Sequence, residues 1–264
     1  MNNLNFPVTM DNIGFSFGNE RILKDISIGF ERHKTTAIMG PNGSGKTTLL
    51  RNIARFLKPA SGAVFINGKD THSFKHKEFA KEISYVHQDT NIKIDFTVED
   101  VVLMGRNPHL KFFEAESQND YNIARESMQL TNTYHLKDKK ISEISGGERQ
   151  RVFIAQALAQ KAGIMLLDEP VSNLDIQNQI EVLKILKKLT EEKKATVIMV
   201  LHDLNLASVF SDRVILMDKG SVISSGAPAD VITEENVRKI YNIDVQIIKN
   251  PNNSQPLIIP LLTM

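Results

Sequence analysis

Cysteine is absent from this chain, which excludes disulfides, thiolate metal sites and cysteine nucleophiles. Neither sign of charge is in surplus: 32 Lys and Arg stand against 31 Asp and Glu. Nothing therefore marks the chain as a binder of nucleic acid or another polyanion. No apolar run approaches the ~20 residues needed to cross a bilayer, and the tail from Pro256 to Met264 is short and broken by Pro260. Residues Met1 to Asn12 carry neither a basic n-region nor an apolar h-region, so no secretory signal is expected. The expectation is a cytosolic polypeptide that reaches a membrane only by docking to a separate membrane protein.

What is present suits one sizeable core, or a core with a smaller lobe: 264 residues, 41% of them hydrophobic. Thr36 to Met39, Ile83 to Val86, Ile164 to Leu167, Thr196 to Leu201 and Val214 to Met217 read as short buried strands. Helical stretches lie between them. In Asp175 to Glu192, the residues Ile176, Ile180, Leu183, Leu186 and Leu189 recur at spacings of three and four. Lys184, Lys187, Lys188, Glu191 and Glu192 fall largely outside that stripe and read as a solvated face. This alternation predicts an α/β fold with a mainly parallel core sheet. The first ~35 residues and Ala63 to Gly68 predict short strands of a separate antiparallel β layer, with turns at Phe17-Gly18 and Asn67-Gly68. Residues 89–142 predict a helical subdomain. Asn250 to Asn253 form a turn cluster, followed by a strand or a loose end.

Gly40-Pro41-Asn42-Gly43-Ser44-Gly45-Lys46-Thr47-Thr48 satisfies the P-loop pattern between a predicted strand and a helix from Lys46 to Ala54. Its glycines let backbone N–H groups turn inward as a nest for phosphate oxygens, and the helix N-terminus adds positive potential on the same axis. Lys46 would bridge β- and γ-phosphates, and the Thr47 hydroxyl would face Mg²⁺. Asp168 ends an apolar strand, where its carboxylate can hold Mg²⁺ through water. Glu169 follows and, by strand alternation, should point elsewhere. A helix cap and a surface acid remain the plain alternative for that pair. Ser145, Gly146 and Gly147 form a second anion nest before a helix from Glu148 to Gln160, with Val152, Ala155, Leu158 and Ala159 on its inward face. Ser145 and Glu148 also satisfy a capping box, though capping alone would not require two glycines.

The P-loop, the run Ile144-Ser-Gly-Gly-Glu-Arg-Gln-Arg151 and Leu166-Leu-Asp-Glu-Pro170, taken in this order, resemble the nucleotide-binding subunits of ATP-binding-cassette (ABC) transporters. The likeness extends roughly from Val8 to Ile248 and implies a P-loop NTPase fold, one ABC ATP-binding domain over residues 1–264. It implies ATP and Mg²⁺ as ligands, Glu169 as general base or polariser of the attacking water, and Gln88 as a Q-loop residue touching Mg²⁺ and water. It further implies His202 as a switch histidine on the γ-phosphate and Asp175 as part of a D-loop crossing a dimer interface. Ser145, Gly146 and Gly147 would face the γ-phosphate held by Lys46 of a second copy. Phe17 would stack on adenine, with Phe15 as the competing candidate. The chain departs from the family pattern at Phe17 (tyrosine is commoner), Ile144 (leucine), Gly163 (proline) and Glu31 to Lys34, where a glycine is usual.

The resemblance also implies partners: a homodimer, an integral-membrane permease, indirectly an extracytoplasmic substrate-binding protein, and no nucleic acid. It implies a peripheral location on the cytoplasmic face of the cell (inner) membrane. Phe96 to Pro108, Leu158-Ala159-Gln160 and Leu201 to Ala207 resemble importers of ferric siderophores, haem and cobalamin. Ferric siderophore is the expected cargo, with haem, cobalamin or zinc and manganese ions as alternatives. A soluble ABC protein acting on nucleic acid or the ribosome is a distant one, since it predicts a long coiled coil or two cassettes with basic patches.

Overall fold

The structure is a computed structural model that describes residues 5–88 and 95–261. It divides into two compact units, residues 1–73 with 195–264, and residues 74–194.

The first unit opens with β1 (Val8–Phe17) and β2 (Glu20–Phe30), followed by β3 (Thr35–Met39), α1 (Lys46–Ile53), β4 (Ser61–Ile66) and β5 (Lys69–Asp70). Strands β2-β1-β4-β5 make an antiparallel layer. The sequence predicts short strands here, but β1 and β2 span 10 and 11 residues. Their alternation is interrupted by bulges at Met10/Ile13 and Ile13/Phe15, which hides the length from a period-two reading. The turn that lacks a glycine is closed by His33, whose φ is +57°.

The same unit resumes with β8 (Thr196–Val200), α7 (Leu204–Phe210), β9 (Arg213–Asp218) and β10 (Ser221–Gly226). Strand β3 lies between β8 and β9, parallel to both, and β10 closes the edge antiparallel to β9. All five residues of β3 and all five of β8 are buried, as expected of parallel strands covered on both faces. After α8 (Pro228–Val231) and α9 (Glu234–Tyr241), the tail forms a hairpin of β11 (Val245–Lys249) and β12 (Pro256–Pro260). The segment after Asn253 is thus a strand. Asn205 holds it, donating to Ile258 O at 3.2 Å and accepting from Ile258 N at 2.8 Å.

The second unit contains α2 (His76–Glu82), β6 (Ile83–Val86), α3 (Val98–Leu103), α4 (Gln118–Leu130), α5 (Gly146–Ala159), β7 (Ile164–Leu167) and α6 (Ile176–Lys193). Strands β6 and β7 pair in parallel. Between β6 and β7 the described residues are mainly helical, and Val98, Val102, Met128, Leu136, Ile141 and Val152 form part of one buried cluster. In α6 the predicted stripe holds at Leu183, Leu186 and Leu189, which are buried, but Ile176 is 77% exposed. Ile176 is the first residue of the helix, and periodicity reports a face without reporting where its cover ends. Leu158 of α5 is only half-buried, unlike Val152, Ala155 and Ala159.

Candidate functional site

In the first unit the P-loop leaves the carboxyl end of β3 and enters α1. Open parallel sheets bind ligands at this end. Gly40 has φ +147°, and a Cβ there would lie 2.2 Å from Met217 O, so the close pass over β9 requires glycine. Gly45 caps α1 at φ +97°. Asn42 and Gly43 are exposed, whereas Ser44, Gly45 and Lys46 are buried, and Thr47 and Thr48 are half-buried in the first helical turn. Lys46 Nζ donates to the carbonyls of Gly40 and Pro41 at 2.9 and 2.8 Å, which curls the side chain over its own loop. Ser44 Oγ is buried without a hydrogen-bond partner, a group that costs about 1–3 kcal/mol until something satisfies it.

His202 belongs to the same sheet end. Leu201 N donates to Ile38 O at 3.2 Å, so His202 and the P-loop emerge from neighbouring strands. His202 is exposed, and Asp203 beside it caps α7 through Leu206 N at 2.9 Å. Phe17 is 54% exposed and meets the buried Phe15 edge to face at 4.8 Å between centroids. Phe17 is the more accessible of the two rings, and Phe15 packs beneath it.

In the second unit the register Val86↔Leu167 brings Gln88, Asp168 and Glu169 together. Asp168 N donates to Val86 O at 3.0 Å, and Asp168 Oδ2 accepts from Tyr85 Oη at 3.0 Å. Gln88 Nε2 donates to Glu169 Oε2 at 2.7 Å. The reason for Glu169's direction differs from the one expected. Strand β7 ends at Leu167, and Glu169 lies in the left-handed region at φ +49°. That conformation costs on the order of 1 kcal/mol for a residue with a Cβ, and it aims the carboxylate toward Gln88.

Helix α5 starts at Gly146, two residues before the predicted start, because Gly146 and Gly147 continue helically from the Ser145 cap. The capping box is present: Ser145 Oγ accepts from Glu148 N at 3.3 Å, and Glu148 Oε2 accepts from Ser145 N at 2.8 Å. Hydrogen bonds from the Ser145 backbone and hydroxyl hold the Glu148 carboxyl below its usual range. The two glycines differ. A Cβ on Gly147 would lie 2.4 Å from Asn178 Oδ1, whereas one on Gly146 would meet nothing within 4 Å. Packing inside the chain accounts for Gly147 and leaves Gly146 without an internal reason. Asp175 is the N-cap of α6, accepting from Asn178 N at 2.9 Å, and this bond is the main cause of its lowered pKa.

Among the described residues no group of three or more His, Cys, Asp or Glu could hold a metal ion. Mg²⁺ does not need one: it binds hard oxygens through one or two carboxylates together with substrate phosphates and water. The Thr47 hydroxyl of the first unit, and in the second unit the Gln88 amide oxygen and the Asp168 carboxylate, are oxygen donors of the kind that Mg²⁺ takes.

Sequence reasoning missed several supports. Arg106 Nε donates to Asp120 Oδ1 at 2.9 Å and its Nη1 to Ala159 O at 2.6 Å, with both side chains under a tenth exposed. His109 Nε2 meets Gln160 O at 2.8 Å, and Gln160 Nε2 donates to Ile83 O at 2.7 Å and to Ala80 O. Phe96 to Pro108 and Leu158 to Gln160, read from sequence as marks of ancestry, thus meet in one interlock at the C-terminal end of α5. No local pattern signals it, since the partners lie 14 to 80 residues apart in sequence.

Comparison with known proteins agrees with this geometry. The ABC transporter family profile matches residues 23–172. The chain is 37% identical to the ferric enterobactin transport ATP-binding protein FepC of Escherichia coli K12, over 95% of this chain and 93% of FepC. It is 35% identical to the iron(3+)-hydroxamate import ATP-binding protein FhuC of Bacillus subtilis 168, again over 95% and 93%. A solved dimeric structure of the ATP-binding cassette MJ0796, in a post-hydrolysis state with ADP and Pi, superposes with a TM-score of 0.72 at 31% identity, covering 84% of this chain and 98% of that one.

Proposed function

Because this chain belongs to the ABC transporter ATP-binding family, we propose that it is the ATP-hydrolysing subunit of an importer that brings a ferric siderophore through a separate membrane permease. What carries the reading is that two glycine-bearing helix N-termini, those of α1 and α5, stand in one chain with a Gln88–Glu169 pair. One nucleotide needs only one phosphate cradle. The second, where Gly146 faces open space, suits the γ-phosphate of a nucleotide held by another copy.

In this reading ATP phosphates take over the hydrogen bonds that Lys46 makes to Gly40 and Pro41, and Ser44 Oγ gains an acceptor. Phe17 supplies a stacking face for adenine. Glu169, held by Gln88, accepts a proton from the water that attacks the γ-phosphorus, while His202 donates to a γ-phosphate oxygen. Thr47, Gln88 and Asp168 are the residues that would hold Mg²⁺, which supplies charge neutralisation at the phosphates when bound. Ser145, Gly146 and Gly147 of a second copy close over the same γ-phosphate, so the dimer is tight with ATP and loosens after cleavage. That differential contact drives the switch. Gln88 precedes in sequence the mainly helical described stretch of the second unit, the element that would pass this motion to a permease at the cytoplasmic membrane face.

The cargo assignment follows the relatives, ferric enterobactin for FepC and iron(3+)-hydroxamate for FhuC. The test is uptake of labelled ferric siderophore by iron-starved cells lacking this subunit, complemented with wild type or Glu169→Gln. Restoration by wild type alone is expected. Uptake that survives the deletion, with no second ATPase substituting, overturns the cargo assignment.

A further inference from the structure

Two motifs assigned to the nucleotide sandwich stand at the N-termini of α5 and α6, and one side chain joins them. Asn178 Nδ2 donates to Asp175 Oδ2 at 2.8 Å. Its Oδ1 accepts from Arg151 Nη1 at 2.8 Å, and the same Nη1 reaches Glu181 Oε2 at 2.9 Å. The orientation of the amide is fixed by its partners. A flip would set Nδ2 against a guanidinium and Oδ1 against a carboxylate, two repulsions in place of two bonds. The arginine side chain is only 9% exposed, so its bonds are shielded from competing water. The Asn178 amide also bears on the Ser-Gly-Gly turn, since a Cβ on Gly147 would fall 2.4 Å from Oδ1 and 2.5 Å from Cγ.

We infer that Asn178 is a positioning residue that makes the Asp175 loop and the Ser145–Gly147 turn move as one body. The glycine at 147 exists to let the amide approach, and Arg151, one turn into α5, locks it there. A shift of Asp175 pulls the amide nitrogen, and the amide oxygen then draws Arg151 and the first turn of α5 with it. The two contacts that one copy would offer its partner's nucleotide and interface are thereby delivered together. A copy that lost this link would bind ATP normally, because the P-loop is untouched, yet would close poorly around a partner's γ-phosphate. The inference rests on the two-subunit sandwich proposed above.

The experiment uses the full chain in a Glu169→Gln background, with ATP-driven dimerisation measured by sedimentation and ATP affinity measured on the dilute monomer. Asn178→Ala should weaken dimerisation about tenfold or more while monomer ATP affinity stays within twofold. Asn178→Asp keeps an acceptor for Arg151 and sets a like charge beside Asp175, so it should fold well and still weaken dimerisation. In the hydrolysing protein both variants should lower kcat and leave the KM for ATP near its wild-type value. Dimerisation of both variants within twofold of the parent, whatever their Tm, overturns the inference and leaves Asn178 a simple brace. If the Glu169→Gln parent itself stays monomeric with ATP, the sandwich reading fails first and takes this inference with it.

Discussion

Replacing Asp120 with Ala should strongly destabilise the second unit. Its carboxylate accepts from Arg106 Nε at 2.9 Å and from Ser117 N and Oγ at 2.9 and 2.6 Å. Arg106 is 5% exposed, and its guanidinium would keep only the Ala159 carbonyl bond among those described. Removing one partner of a buried pair leaves a charge that water cannot reach, which costs about 3–5 kcal/mol. Whole-domain stability is about 5–15 kcal/mol, so the second unit would be close to unfolding. Urea unfolding followed by far-UV circular dichroism at pH 7 reads this as a lower midpoint at unchanged slope. The control is Arg106→Met with Asp120→Leu, which removes both charges and should recover most of the loss. An Asp120→Ala protein within about 1 kcal/mol of wild type would refute the reasoning, because it would mean the pair is effectively solvated.

The same pair sets a pH signature. Hydrogen bonds from the Ser117 hydroxyl and Arg106 lower the Asp120 pKa from 3.8 to about 2. A carboxyl depressed in the folded state binds protons more readily when unfolded, so its stabilisation is full above the ordinary pKa and disappears as pH falls through the folded value. Wild type should lose stability between about pH 4 and pH 2 by this route, and Asp120→Asn should show a flatter dependence over that window.

Four further outcomes follow from the candidate site. Lys46→Ala should abolish ATP binding in an equilibrium titration, and unchanged hydrolysis would sink the phosphate assignment. Phe17→Ala should weaken ATP by about 1–3 kcal/mol, with an equal loss for GTP if any purine stacks there; an unchanged Kd would remove Phe17 from the site. Gly146→Ala should leave the monomer's stability unchanged or higher, since alanine favours helix by up to ~1 kcal/mol, yet suppress ATP-driven dimerisation. Gly147→Ala should destabilise the monomer itself by driving a methyl into Asn178, and thermal denaturation separates the two.

Much of the candidate site's placement is legible in the sequence because its signals are local. The P-loop declares itself by glycine spacing between an apolar strand and a helix, and Ser145 with Glu148 declares a helix start. The parallel pairs and the antiparallel layer followed from buried runs and turn residues. What was illegible depends on register or on partners distant in sequence. The Gln88–Glu169 bond exists because Val86 faces Leu167, and no spacing rule states which residues of two strands face each other. Glu169 was expected to continue a strand, but the backbone has already turned left-handed there. Ile176 keeps the helical period yet lies bare at the helix start. The Arg106–Asp120 and Asn178–Arg151–Asp175 links each join residues that look like ordinary surface polar positions in the sequence, because the burial of Arg106, Asp120 and Arg151 is a property of the packed chain.

The most direct test of the account is phosphate release by purified wild type and Glu169→Gln, with ATP affinity measured on both. A general base contributes about 10²–10⁴-fold, so turnover should fall by at least a hundredfold at Glu169→Gln while the Kd for ATP stays within a few-fold. Turnover within threefold of wild type would contradict the account, since the carboxylate that Gln88 holds would then have no part in the chemistry.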